Sequence, residues 1–385
     1  MYFWMKKQQI GGLEFKSSAM ELSLGVELEL QVLDAESLLL TPKAADIIAQ
    51  CDDNRIVEEF FQSTVEIVSG IGRNVQDIQN DLQPSIFKAI AKANLLNLRL
   101  GSTGTHPLAN YRERLVTPSE RYHDLIDRNQ WLIRRMAVYG MHIHLGMPSG
   151  DACIRYNFFF LNFLPHILAL SSSSPFWQGM YTGLSSCRPT TLEALPTAGI
   201  PYLVKGWKEF QSLYSFLVKS KAVNSPKDLW WDLRPSPQHG TLELRFCDEP
   251  ATLKEAFAIV SFVHALGHWF KDHESEWNYT HNPLKHWIIR ENKWRAIRYG
   301  LHGQIVVSRT GKTKLIYKDI LEWMATLAPY VKELNYSEYF NTLKEIIEKG
   351  NSSERQYKVF ESSQDLREVI RHNLKEFESG QPQWS

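Results

Sequence analysis

Four short segments of this chain, "LGVELELQV", "STVEIVSG", "YGMHIHLGM" and "GTLELRFC", repeat one pattern. Side chains alternate across a β-strand, so residues two apart share a face. In the first segment Leu24, Val26, Leu28, Leu30 and Val32 point one way, and Gly25, Glu27, Glu29 and Gln31 the other. In the second, Val65 and Ile67 oppose Thr64, Glu66 and Val68; in the third, Met141, Ile143 and Leu145 oppose His142 and His144. In the fourth, Leu242, Leu244 and Phe246 oppose Thr241, Glu243, Arg245 and Cys247. Each segment has an apolar face that demands cover. The opposite faces together carry four glutamates, two histidines and an arginine.

Taken singly, each segment reads as a strand with a solvated face. Such faces usually carry Thr, Ser, Lys and mixed charge, because like charges side by side destabilise a sheet. Lysine is absent from all four polar faces, and glutamate is concentrated there. Carboxylates gathered on one sheet repel strongly unless a cation neutralises them. A divalent metal site is the better joint reading, on the condition that the strands share a sheet, which sequence alone does not establish. Carboxylate oxygens with an imidazole and no thiolate suit Mg²⁺ or Mn²⁺. Zinc on the His-x-His strand is the alternative.

Between these segments the chain alternates loosely. Residues 24–33 read as a strand, "TPKAADIIAQC" as a helix with a Thr-Pro start, 58–69 as a strand and 74–98 as a helix. A strand near 99–105, a helix over 118–137, a strand over 139–147 and a helix over 154–172 follow. Then come a loop-rich stretch over 173–203, a helix near 204–218, the fourth segment and a long helix from 252. Beyond 282 the pattern is mostly helical. The expectation is an α+β fold in which antiparallel strands have helices covering one face. One compact unit with a helical C-terminal part is expected.

Forty-three basic residues balance 43 acidic ones, so bulk electrostatic attraction to nucleic acid is not expected. Cys51, Cys153, Cys187 and Cys247 form no C-x-x-C pair, which argues against a disulfide framework and for a reducing cytoplasm. The first 15 residues lack a secretory h-region, and no run of about 18 apolar residues suggests a membrane span. "FFFLNFLPHILAL" reads as a buried helix.

In order and separation, "LGVELELQVLD", "STVEIVSGIGRNVQDI", "YGMHIHLGMP", "GTLELRFCDEP" and "RENKWRAIRYGL" resemble the bacterial carboxylate-amine ligase family related to the second type of glutamate–cysteine ligase. The resemblance runs from about residue 20 to about 375, which implies a single catalytic domain over 20–375, with an N-terminal extension over 1–19 and a tail over 376–385. It implies a glutamine synthetase-like catalytic fold, a curved antiparallel sheet with helices on one face. It also implies ATP, two or more Mg²⁺ ions, and a substrate carboxylate activated as an acyl phosphate that a small-molecule amine attacks. Glu27, Glu29, Glu66, His142 and Glu243 would be metal ligands or their neighbours, with Arg245 near the transferred phosphoryl group. The chemistry is consistent, since phosphoryl transfer needs charge neutralisation and positioning, and no P-loop motif is present.

Other residues carry weaker claims. Arg73, beside two glycines, binds a phosphate or carboxylate, or ties down its loop. Arg188 is a carboxylate clamp or a surface arginine. Arg290, Arg295 and Arg298 contact nucleotide or substrate, or, for Arg295 with Glu291, form a helix-surface ion pair. His144 ligates a metal or orients its neighbours. The 173–203 loop is where selection of the amine is expected. Glutamate and cysteine are the substrate pair the resemblance suggests, and a homodimer follows from base rates. Competing readings are a metal-dependent amide or phosphate hydrolase and a non-catalytic metal- or nucleotide-binding protein.

Overall fold

A computed structural model describes residues 13–277 and 284–384. The four patterned segments do share one sheet. Its seven strands are β1 (Leu24–Asp34), β2 (Ile56–Glu58), β3 (Thr64–Val68), β4 (Leu98–Gly101), β5 (Gly140–Gly146), β6 (Leu233–Ser236) and β7 (Thr241–Asp248). The order is β6-β7-β5-β1-β3-β2, with β4 beside the C-terminal half of β1, and every pairing is antiparallel. The register sets Glu66 opposite Glu29, Glu27 opposite His142, His144 opposite Glu243, and Glu243 opposite Arg234. Because facing residues of antiparallel strands lie on the same side, this register makes one continuous polar row across five strands.

The other face is apolar throughout. Leu24, Val26, Leu28, Leu30, Val65, Ile67, Met141, Ile143, Leu145, Leu242 and Leu244 are buried in one core. Helices Val75–Leu95, Gly150–Ser171 and Leu253–His273 cover it. Helix Gly150–Ser171 is apolar all round because it lies between the sheet and helices Leu253–His273 and His286–Tyr299. It alone among the described residues is long and apolar enough to cross a membrane, and 83% of that window is buried in protein. All four cysteines are buried and free.

Several boundaries differ from the periodic reading. The strand expected over 58–69 is two strands, joined by a turn at Glu59–Ser63 in which Phe61 accepts the Thr64 N–H at 3.0 Å. The expected 99–105 strand ends at Gly101. The expected 118–137 helix breaks at Gln130, whose φ is +48°. In β7 strict alternation fails after Leu244. Leu244 faces Ile143 and Cys247 faces Met141, so three steps of β7 span two of β5. This bulge turns Phe246 and Cys247 into the core and leaves Arg245 on the polar side.

The loop-rich 173–203 stretch is anchored on the end of β7. Buried Asp248 accepts from the Ser173 N–H at 2.9 Å, Ser174 Oγ at 2.7 Å and Ser186 Oγ at 2.8 Å. From there the chain forms the short helix Arg188–Leu192 over the polar face, and Ala198–Gly199 pairs in parallel with Trp230–Trp231. At the other edge, the Lys16 N–H bonds the Pro237 carbonyl and the Ser18 N–H the Met147 carbonyl, both at 2.9 Å.

Candidate active site

The polar row floors a cavity of about 320 Å³. Glu27, Glu29, Glu66, His142, His144, Glu243, Arg245 and Arg188 all line it. Arg73 does not; it is exposed, and its backbone N–H donates to Asp77. Arg290 is exposed away from the cavity. Arg295 pairs with Glu291 at 2.8 Å and donates to the Gln304 carbonyl, and Arg298 donates to the Gly183 carbonyl. Arg295 and Arg298 are thus held in helix-surface and loop contacts, and none of the four arginines joins the wall.

Within the cavity the carboxylates and imidazoles interlock. Three sets of donor atoms lie within 4.8 Å of one another: Glu27 with Glu66 and His142, Glu27 with His144 and Glu243, and Glu29 with Glu59 and Glu66. His142 Nδ1 sits 3.0 Å from Glu27 Oε2, and His144 Nδ1 lies 3.0 Å from Thr241 Oγ1. The Nε2 atoms of both rings are buried yet make no hydrogen bond, although carboxylate oxygens of Glu29 and Glu27 stand 3.8 and 3.2 Å away. A buried nitrogen left unbonded beside a carboxylate costs free energy in an all-protein site. Between hard oxygen donors it is the arrangement of a metal ligand. The donor set therefore fits divalent cations.

The charges are not relaxed. Burial pushes the Glu29 carboxyl up to about 7, with Glu59 adding repulsion. Glu66 rises well above the usual range through burial and its neighbours Glu59, Glu27 and Glu29. Burial also raises Glu59. Burial works against ionisation of Glu27 as well, but the hydrogen bond from His142 and the close approach of the His144 ring outweigh it and hold its carboxyl far below normal. His142 falls to about 4, through burial first and then the nearby Arg245. Glu243 stays ionised despite burial because Arg234 and Arg245 flank it. Arg234 binds it through Nε and Nη2 at 2.8 and 2.9 Å, a bidentate fork. At one end of the row Glu29, Glu59 and Glu66 thus resist ionisation in the absence of a cation, and at the other Glu243 is neutralised by two arginines.

Arg188 is buried. Its Nη1 donates to the Arg245 carbonyl at 3.1 Å, its Nε has no partner, and no carboxylate lies within salt-bridge distance among the described residues. The sequence reading missed Glu59, Arg234, Glu193 and Asp232, all of which line the cavity. Glu59 sits in the turn that periodicity treated as strand. Arg234 sits on a strand whose alternation Pro235 and Pro237 conceal.

The fold and the site's donor set accord with the class that comparison with known proteins gives, an ATP-dependent ligase forming carbon–nitrogen bonds. The profile of the glutamate-cysteine ligase family 2 (GCS2) matches residues 23–375. A protein of Bdellovibrio bacteriovorus is 39% identical over 350 residues, covering 90% of this chain and 92% of its own. One of Gloeobacter violaceus is 35% identical over 368 residues, covering 93% and 97%. Both carry the name "Putative glutamate–cysteine ligase 2". Among solved structures, the glutamate–cysteine ligase of Francisella tularensis in complex with AMP superimposes with a TM-score of 0.67 at 12% identity, covering 95% of this chain and 90% of that one. The chain belongs to glutamate–cysteine ligase family 2. It is by family a carboxylate–amine ligase, and its fold is the antiparallel sheet with helices on one face expected from the sequence.

Proposed function

We propose that the enzyme activates a small-molecule carboxylic acid with ATP and Mg²⁺ as an acyl phosphate and passes the acyl group to an amine. L-Glutamate and L-cysteine are the first pair to test. The observation that carries this reading is the unbonded Nε2 of His142 and of His144 among the carboxylates of Glu27, Glu29, Glu66 and Glu243. Mg²⁺ held by these residues and Glu59 would neutralise the triphosphate and template the in-line transfer.

The chain's own groups take the remaining roles. Arg245, set on the polar side by the β7 bulge, offers its guanidinium to the transferring phosphoryl group. Arg234 keeps Glu243 ionised and fixed. Arg188 holds the reacting carboxylate, since a buried guanidinium with an unpartnered Nε and no carboxylate of its own is suited to an anionic ligand.

The test is ADP release with ATP, Mg²⁺ and acid–amine pairs, comparing wild type with Glu27→Gln. Amine-dependent ADP release is expected, reduced by about 10²-fold or more in the variant. Mn²⁺ titration followed by electron paramagnetic resonance should show weaker binding by Glu27→Gln. Release that needs no amine, or a variant as active as wild type, would sink the reading.

A further inference from the structure

The wall facing the glutamate row contains a second charged cluster that the steps above do not use. Lys293, on helix His286–Tyr299, is 1% exposed. Its ammonium donates to Asp232 Oδ1 and Oδ2 at 2.7 and 2.6 Å and pairs with Glu193 Oε1 at 2.5 Å. One ammonium is shared by two carboxylates, and the Arg188 guanidinium acts on the buried Asp232 from further off, so Glu193 is the less neutralised of the two. Asp232 is enclosed, while the Glu193 side chain is 35% exposed, so the carboxylate presented to the cavity is that of Glu193. Leu192, Gly199, Trp230 and Trp231 line the cavity around it.

Glu193 follows directly on the helix Arg188–Leu192, with its N–H bonded to the Pro189 carbonyl at 2.9 Å. At the other end of this one turn is Arg188, buried in the same wall with its Nε unpartnered. A single short element thus presents a cation lacking an anion and, five residues on, an anion only half neutralised. A carboxylate in this wall repels phosphate and suits a positively charged group. ATP brings none; the amine, as its ammonium form, does, and an amino acid used as the acid brings an α-ammonium, whose binding would serve every acceptor of the acyl group equally.

We propose that Glu193, fixed by Lys293 and Asp232, receives the ammonium group of the amine substrate and takes the proton that frees its lone pair. The inference rests on the ligase reading. The nitrogen lone pair attacks the acyl carbon held at Arg188, the carbon–nitrogen bond forms, and the bond from that carbon to the phosphate oxygen breaks. Of the two protons nitrogen loses, the first passes through Glu193 to solvent, and the second leaves with phosphate as its monohydrogen form. Acyl phosphate and ammonium thereby give amide, hydrogen phosphate and one proton.

Hydroxylamine, largely uncharged at neutral pH, separates this role from a structural one, because it reaches an acyl phosphate with its lone pair free. With Glu193→Gln, Glu193→Asp and wild type checked for equal folding by circular dichroism, the rates of amide and hydroxamate formation are measured for one acid. The amide rate is expected to fall by about 10²-fold relative to the hydroxamate rate in Glu193→Gln, with partial recovery in Glu193→Asp. Equal loss of both rates, or no change in their ratio, overturns the assignment. A wild type that forms neither product from any acid overturns the ligase reading itself, and this inference with it.

Discussion

At Gly140 the backbone N–H donates to Glu29 Oε2 at 2.6 Å, and the space a side chain would take is already filled. A Cβ there would lie 2.0 Å from Arg188 Nη2 and 2.5 Å from its Cζ. One glycine therefore orients a carboxylate of the sheet and seats a buried guanidinium above it. Gly140→Ala must push Arg188 aside. Activity is expected to fall at least as far as in Arg188→Ala, with a stability loss of about 1–3 kcal/mol from overpacking. If the effect runs through Arg188, the double variant is no less active than Arg188→Ala alone; additive losses in ADP release would show that Gly140 acts by another route. At this scale, the period of two in the sequence identified which residues of a strand share a face, and so found Glu27, Glu29, Glu66, His142, His144, Glu243 and Arg245. It carried no information on Glu59 or Glu193, whose positions come from a turn and from a helix end. Nor did it separate Arg188 from Arg73 or Arg298, because an arginine in a loop looks the same whether it points inward or out.

Between elements, one buried arginine joins two C-terminal helices to the long helix Leu253–His273. Arg355, on helix Ser352–Ser363, donates to Glu255 Oε1 and Oε2 at 2.9 Å from Nη1 and Nη2 and to Glu376 Oε1 and Oε2 at 2.6 and 3.1 Å from Nε and Nη2. All three side chains are 0–3% exposed, and the Trp384 ring covers the guanidinium at 4.6 Å. Three helices, Leu253–His273, Ser352–Ser363 and Leu366–Ser379, thus meet at one charge. Arg355→Met leaves Glu255 buried without a cation and Glu376 with only the His372 ring, 3.4 Å away, and a loss of about 3–5 kcal/mol is expected. Urea denaturation checks this; a loss below about 1 kcal/mol would mean that the carboxylates take up protons or water at little cost. Which helices meet was not legible in the sequence. The strands were, because an apolar face alternating with a glutamate face recurs four times; their adjacency and the bulge at Arg245 depend on partners far along the chain.

For the whole molecule, two buried histidines outside the cavity link folding to pH. His264 lies between the Tyr336 hydroxyl at 2.7 Å and the Leu22 carbonyl at 2.9 Å, and burial, with His268 nearby, lowers it to about 3. His106 bonds the Leu38 carbonyl at 2.9 Å, and burial lowers it to about 4. In the unfolded chain each accepts a proton near pH 6.5. The unfolded state therefore binds more protons than the native one between that value and the lowered one, so stability rises with pH across this window. The contribution is complete above about pH 7. It is lost progressively as pH falls from about 6.5, until the folded values near 4 and 3 are reached. Between pH 7.5 and 5.5 each histidine is expected to remove about 1.4 kcal/mol. Urea denaturation at the two pH values, with chelator present so that metal occupancy does not enter, should show a smaller pH-dependent drop in His264→Gln than in wild type, by about 1.4 kcal/mol. The variant's lower baseline stability does not affect this comparison, because only the difference between the two pH values is read. An equal drop in both proteins would mean that His264 takes up its proton as readily in the folded core as in the unfolded chain.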